Sequence, residues 1–194
     1  MSRRSARSGF TLMESLVAVA IAAMTGAALL YAVSGSLTTS EALSERAIAQ
    51  GIAGMVLDEI SIAKYAEDVS SLDQWPLGPH TSEGPLRSTF DDIDDFNGYE
   101  MKPPVDAWGI PLGTGNGAGG ARDSDLVVRE DLLSDWRVTI DVIYVDDDNP
   151  AVALGPGITS NTRVVEVNVY IDRSAGATLV ATARRVFANI HQNL

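Results

Sequence analysis

The sequence predicts an α+β protein in which a long N-terminal helix, half membrane-spanning and half amphipathic, packs on a C-terminal antiparallel sheet. Three observations predict it. Residues 16–33 are an 18-residue run without a charge. Ile48, Ile52, Val56 and Ile60 recur at every fourth position, the spacing of one helix face. Val138, Ile140, Val142 and Tyr144, and later Val165, Val167, Val169 and Ile171, alternate with other residues as half-buried strands do.

The chain has 194 residues. A helix from about Phe10 to Tyr65 leaves roughly 130 residues, enough for one globular domain with a real core. The formal net charge is −12, from 14 basic and 26 acidic residues. Arg3, Arg4 and Arg7 supply three of those basic residues, so a chain lacking residues 1–9 has 11 basic against 26 acidic, or −15. Such a surface repels nucleic-acid phosphate, and no basic stripe is visible, which argues against direct nucleic-acid binding. The chain has no cysteine, which excludes a disulfide framework and thiolate metal sites.

Three readings compete for the N-terminus. An ordinary secretory signal explains the basic start and offers small residues near Ser34 for cleavage, but it does not explain Glu14. A twin-arginine signal fits Arg3-Arg4 but lacks the apolar pair expected after them, since Ser5-Ala6-Arg7 follows. The third reading is a basic leader that ends at Gly9, with Phe10-Thr11-Leu12-Met13-Glu14 opening the apolar helix. It accounts for the glutamate as well. An ionised carboxylate is expensive inside a bilayer and is usually kept there for a partner. Eighteen residues at 1.5 Å each span about 27 Å, close to a bilayer core. The arginines hold the leader on the cytoplasmic side. Ala18, Ala20, Ala22, Ala23, Ala27 and Ala28 allow close approach of other helices.

Residues 7–34, RSGFTLMESLVAVAIAAMTGAALLYAVS, resemble the N-terminus of type IV pilins and type II secretion pseudopilins. The resemblance implies a pilin-like lollipop fold. Residues 1–9 are then a leader peptide, 10–34 a transmembrane and assembly helix, and 35–194 a periplasmic globular domain. It implies cleavage by a prepilin peptidase between Gly9 and Phe10, and N-methylation of Phe10. It also implies a salt bridge from Glu14 to the N-terminal amine of a neighbouring subunit during assembly. The implied partners are other pilin or pseudopilin subunits, the peptidase and methyltransferase, an assembly ATPase, a platform protein and the inner membrane. The sequence departs from many major pilins in having no proline before Pro76.

Downstream of this segment, Leu43 and Ala63 fall roughly in line with the Ile48 face, and Gly51 is a candidate for close packing. Residues 66–125 read as loops, with six prolines and a glycine-rich stretch at 113–120. That stretch lacks the lysine and the strand–helix context of a nucleotide loop. Residues 179–190 are a third strand candidate, with helix as the alternative for 181–185. Asp172-Arg173-Ser174-Ala175-Gly176 reads as the turn before it. A sheet of about four strands is expected.

Two acidic clusters stand out. Asp91, Asp92, Asp94 and Asp95 precede Phe96-Asn97-Gly98-Tyr99, a nine-residue stretch similar to one in MshD-type minor pilins. Asp146, Asp147 and Asp148 follow the first long strand. Both are calcium candidates by their hard oxygen ligands, although neither has EF-hand spacing and hydrated acidic loops are the commoner case. His80 and His191, the two histidines, assemble no catalytic constellation, and no enzyme is expected. Trp75, Trp108 and Trp136 read as packing residues. The absence of cysteine and the MshD-like stretch favour a minor pilin or pseudopilin. The rival readings are an adhesive or ligand-binding module on a pilin stem, and a signal-anchored enzyme.

Overall fold

The computed structural model describes residues 11–66, 75–81 and 83–189. The chain divides into two compact units, Met1–Ser44 and Glu45–Leu194. Helix α1, Leu12–Ile60, starts in the first and ends in the second. Its first turn is tied at Thr11, whose Oγ1 accepts from the Glu14 N–H at 3.3 Å and whose carbonyl accepts from Ser15 N–H at 3.1 Å. Thr11-x-x-Glu14 has the pattern of a capping box, and Glu14 sits in the turn where the helix dipole favours a carboxylate. Within the apolar run, the Thr25 hydroxyl donates to the Ile21 carbonyl at 2.8 Å and is satisfied inside the helix.

The second unit is built on the last turns of α1. Ala49, Ile52, Ala53, Val56, Leu57 and Ile60 are buried. The alanines keep that face narrow, and the branched residues reach into the sheet. The helix ends at Ile60 in tightened turns, with Ser61 N–H donating to Leu57 and Ala63 N–H to Ile60. This is short of the expected Tyr65. Leu43, placed on the core face by its spacing, is 63% exposed instead. Gly51 has open space where a Cβ would stand, so it marks no close approach within the chain.

Four strands form one antiparallel sheet in the order β1-β2-β3-β4: Tyr99–Met101, Trp136–Tyr144, Thr162–Arg173 and Gly176–Ala188. The three long strands are those the alternation predicts. Residues 181–185 are strand, not helix, with Ala181 opposite Val169 and Arg185 opposite Val165. β1 falls in the region read as loop, because three residues are too few to show a period. Before it, Asn97 substitutes for a strand partner: its Oδ1 accepts from Val142 N–H at 3.0 Å. Gly98 then turns at φ 73°, a conformation that suits glycine.

Along β2 every second residue is buried. Val138, Ile140 and Val142, with Val165, Val167, Val169 and Ile171 of β3, meet the buried face of α1 in one core closed by Ile93, Phe96, Met101 and Trp136. On the other face of β2, Arg137, Thr139 and Asp141 are polar. Arg137 stacks on Tyr170 with its guanidinium 4.6 Å from the ring centre. Asp141 faces Glu166, which faces Arg184. Burial, then Glu166, raise the pKa of Asp141.

Two buried arginines tie the loops to this core. Arg87 makes a two-pronged pair with Glu59 of α1, Nε to Oε1 at 3.0 Å and Nη2 to Oε2 at 3.1 Å, and also donates to the Val105 carbonyl. Arg163, at the start of β3, is 0% exposed. Its Nη1 donates to Asp94 Oδ1 and to the Tyr65 carbonyl, both at 2.6 Å, and its Nη2 to the Tyr144 hydroxyl at 2.8 Å. The guanidinium lies between the Tyr65 and Tyr144 rings, 4.7 and 4.9 Å from their centres. Burial pushes the Tyr65 phenol up to about 12, so it stays neutral against this cation.

Ile140→Ala in the detergent-solubilised full chain is expected to lower unfolding free energy by about 2–5 kcal/mol in urea titrations, the range for opening a cavity at a buried isoleucine. Arg163→Met is expected to lose about 3–5 kcal/mol, because Asp94 is left charged and buried without its partner. The double variant Asp94→Leu/Arg163→Met should be less destabilised than Arg163→Met alone. If it loses as much or more, the charge pair is not what the single variant breaks.

Candidate functional sites

The first site is the N-terminal motif. Gly9 and Phe10 lie outside the described residues. Glu14 is described, exposed, in the first turn of α1. Around and beyond it every described residue of the first unit is exposed, with Leu16, Val17, Val19, Ile21, Met24, Leu29, Leu30, Tyr31 and Val33 between 48% and 74% accessible or, for Tyr31, 85%. These side chains point to all sides of the helix rather than to one stripe. A helix apolar all round is one that is buried in a membrane or in a large assembly. Among the described helices, α1 alone is long and apolar enough to cross a membrane, and none of its apolar window is buried within the chain.

The second site is the acidic corner around the short 3-10 turn Asp94–Phe96. The structure sorts its four aspartates, and most do not hydrate. Asp92, Asp94 and Asp95 are buried, and Asp91 is exposed. The corner is fastened to the segment after α1 by Lys64 N–H donating to Asp91 and Ile93 N–H to Lys64. The Lys64 ammonium pairs with the Asp91 carboxylate. Asp92 Oδ1 accepts from the Asp94 and Asp95 N–H groups at 3.0 and 3.3 Å, capping the turn. Asp94 faces Arg163. Burial, and then hydrogen-bonding contact with Asp94, push the Asp92 carboxyl up to about 8. Asp92 Oδ2 and Asp94 Oδ2 are buried and meet no protein donor. Asp95 Oδ2 accepts from the Asp91 and Asp92 N–H groups at 3.0 and 3.1 Å.

Sequence reading missed two members of this corner. Glu83 brings its carboxylate to those of Asp91 and Asp95, with one oxygen of each within 4.8 Å of the others. Arg163 supplies the buried positive charge. Neither stands out along the chain: Arg163 reaches the corner from 69 positions away, and Glu83 stands apart from the run of aspartates in a segment read as loop. The Asp146 cluster is simpler. Asp146 Oδ1 accepts from the Asp148 and Asn149 N–H groups at 3.0 and 2.8 Å, and Asp147 and Asp148 are exposed. It is the turn after β2 and gathers no carboxylate group of the kind formed by Glu83, Asp91 and Asp95 among the described residues.

A groove of about 810 Å³ lies beside the corner, with Met55, Ile62, Phe90, Phe96 and Trp108 among its lining. Trp108 and Trp75 are about half exposed, and Trp136 is buried in the core. His80 is exposed, and its backbone N–H donates to Glu83 Oε2 at 2.6 Å. His191 lies outside the described residues.

Comparison with curated proteins and with solved structures gives no match. Residues 4–30 match the family described as the prokaryotic N-terminal methylation motif. That family is structural rather than catalytic, and the motif associates its bearers in general with other pilins and with the prepilin peptidase. The match covers residues 4–9 of the expected leader, the expected cleavage point and the apolar part of α1 as far as residue 30, including Glu14. Through residues 4–30 the chain therefore bears the signature of type IV pilins and pseudopilins.

Proposed function

We propose that this chain is a minor type IV pilin or pseudopilin, cut between Gly9 and Phe10, methylated on Phe10, and assembled into a pilus or secretion pseudopilus. The observation that carries this reading is the coincidence of the methylation motif with a helix whose apolar side chains find no cover inside the chain. Lipid covers them first, and the helices of neighbouring subunits afterwards. Arg3, Arg4 and Arg7 keep the leader in the cytoplasm, and the acidic second unit lies outside the inner membrane. Glu14 marks the register: in lipid its charge is unfavourable, and in a filament it meets the methylated amine of an adjacent Phe10. The domain has no catalytic part in this function. It is displayed at, caps or initiates the filament, in keeping with the MshD-like stretch that forms its acidic corner.

Glu14→Gln keeps the size of the side chain and removes its charge. In cells producing the filament, the variant is expected to reach the membrane fraction in wild-type amount but to fall at least tenfold in sheared or pulled-down filaments. Wild-type incorporation of Glu14→Gln would contradict a register role for the carboxylate.

A further inference from the structure

We propose that the free edge of β4 is a docking site for an extended segment of another polypeptide, which adds to the sheet as a further strand. The site goes beyond the filament role and does not depend on it. β4 is an edge strand of 13 residues, none of them buried. Its side away from β3 meets no strand and no isolated bridge among the described residues. The ladder fixes which groups are free. Asn189 N–H donates to the Asn161 carbonyl at 2.9 Å, and Thr162 stands opposite Ala188. In an antiparallel pair, bonded positions alternate with unbonded ones. Residues 181, 183, 185 and 187 therefore bond to β3, and Thr182, Arg184, Val186 and Ala188 direct their N–H and C=O groups away from it. Among the described residues no other backbone group meets them. Such an edge is a template for a foreign strand unless it is guarded. Residues 181–188 contain no proline and no lysine, and the register irregularity opposite Val169 and Tyr170 lies before them. Ala181, Ala183 and Phe187 are only partly covered against the core, and Val186 is exposed, so an added strand completes their burial.

A second observation stands on α1. Arg185 crosses from β4 to the Leu57 carbonyl at 3.2 Å, to the Asp58 carboxylate at 3.1 Å and to the Ser61 hydroxyl, so this flank of α1 lies beside the strand. Gly54 stands one turn before Asp58 on the same flank. Glycine weakens a helix relative to alanine, and a Cβ at Gly54 meets nothing within 4 Å, so no contact inside the chain requires it. The low wall leaves room for the side chains of an added strand. Charge selects the occupant. β4 alone among the four strands has basic residues, Arg184 and Arg185, and no acidic one. Asp58 holds Arg185, whereas Arg184 is exposed and faces Glu166 on the β3 side only. A carboxylate opposite Arg184 on the added strand makes a favourable cross-strand pair. A second copy of β4 fits worse. Laid antiparallel over residues 182–188, it sets Arg185 against Arg185, and like charges directly opposite are destabilising. Residues 45–194 also carry 11 basic against 24 acidic residues, so two copies repel as whole domains. The partner is therefore a different chain, apolar on the face turned to α1 and with one carboxylate opposite Arg184.

The test uses the full chain in detergent and a short fluorescent peptide of alternating threonine and valine with one central glutamate. Anisotropy is expected to show saturable binding, one peptide per chain, with a Kd below about 1 mM. A central lysine in place of the glutamate should weaken binding about tenfold. N-methylation of every peptide bond in the probe should abolish it. Val186→Pro removes an outward N–H and no bond to β3, so it should weaken binding at least about tenfold. Should that variant fail to fold, the N-methylated probe on the wild-type chain carries the same test. The proposal is overturned if the glutamate peptide shows no saturable binding to about 1 mM, or if the N-methylated peptide binds as tightly. Wild-type affinity in folded Val186→Pro overturns the site, and equal affinity for the lysine peptide overturns the acidic partner. A dimer of the chain that Val186→Pro breaks and the peptide does not displace overturns it in favour of a second copy.

Discussion

An apolar helix that is exposed on every side cannot be the end state of a chain in water. At roughly 25 cal/mol per Å² of uncovered apolar surface, the first half of α1 must be covered by something other than its own fold. That constraint organises the molecule. It accords with arginines at positions 3, 4 and 7 before the run, and with a helix that contains alanine and a back-bonded threonine but no charge from residue 16 to 33. It also explains why a single carboxylate, Glu14, is tolerated at the helix start: the capped first turn gives it a favourable place, and the proposed assembly would give it a partner.

The second unit solves a different problem. It has no disulfide, and its sheet presents only one well-covered face to α1. Its loops are fastened by buried charge. Arg87 holds the segment before β1 to Glu59, and Arg163 holds the Asp94 turn, the Tyr65 carbonyl and the Tyr144 hydroxyl at once. Such pairs are weak evidence of net stability, since hydrophobic replacements often do as well. What they do is fix one arrangement, since removing either partner leaves a charge in the interior. The same corner concentrates three buried aspartates against one buried arginine, and burial together with the contact with Asp94 raises the Asp92 pKa.

Much of this was legible in the sequence, for identifiable reasons. The helix and the three long strands have periods that local pattern reveals: 3.6 residues for Ile52, Val56 and Ile60, two for Val138, Ile140 and Val142. The N-terminal motif is local by nature. What the sequence hid depends on contacts between distant residues. β1 exists because Tyr99–Met101 finds β2, not because three residues announce a strand. Arg163 lies 69 positions from Asp94 and reads, in sequence, as an ordinary strand residue. The aspartates looked like a hydrated loop because nothing local shows that Ile93 and Phe96, interleaved with them, are drawn into the core and carry them inside. Leu43 erred in the other direction: its spacing matched the core face, but the buried stretch of α1 begins only at Ala49.

The proposed function requires that residues 1–9 be a leader, removed to expose Phe10 for assembly. Intact-mass and N-terminal peptide analysis of the membrane-extracted protein tests it most directly. The account predicts a chain that lacks its first nine residues and begins with N-methyl-Phe10. A chain that begins near Ser34, or one that retains Met1 in the assembled state, would contradict it and leave the exposed helix without the role argued here.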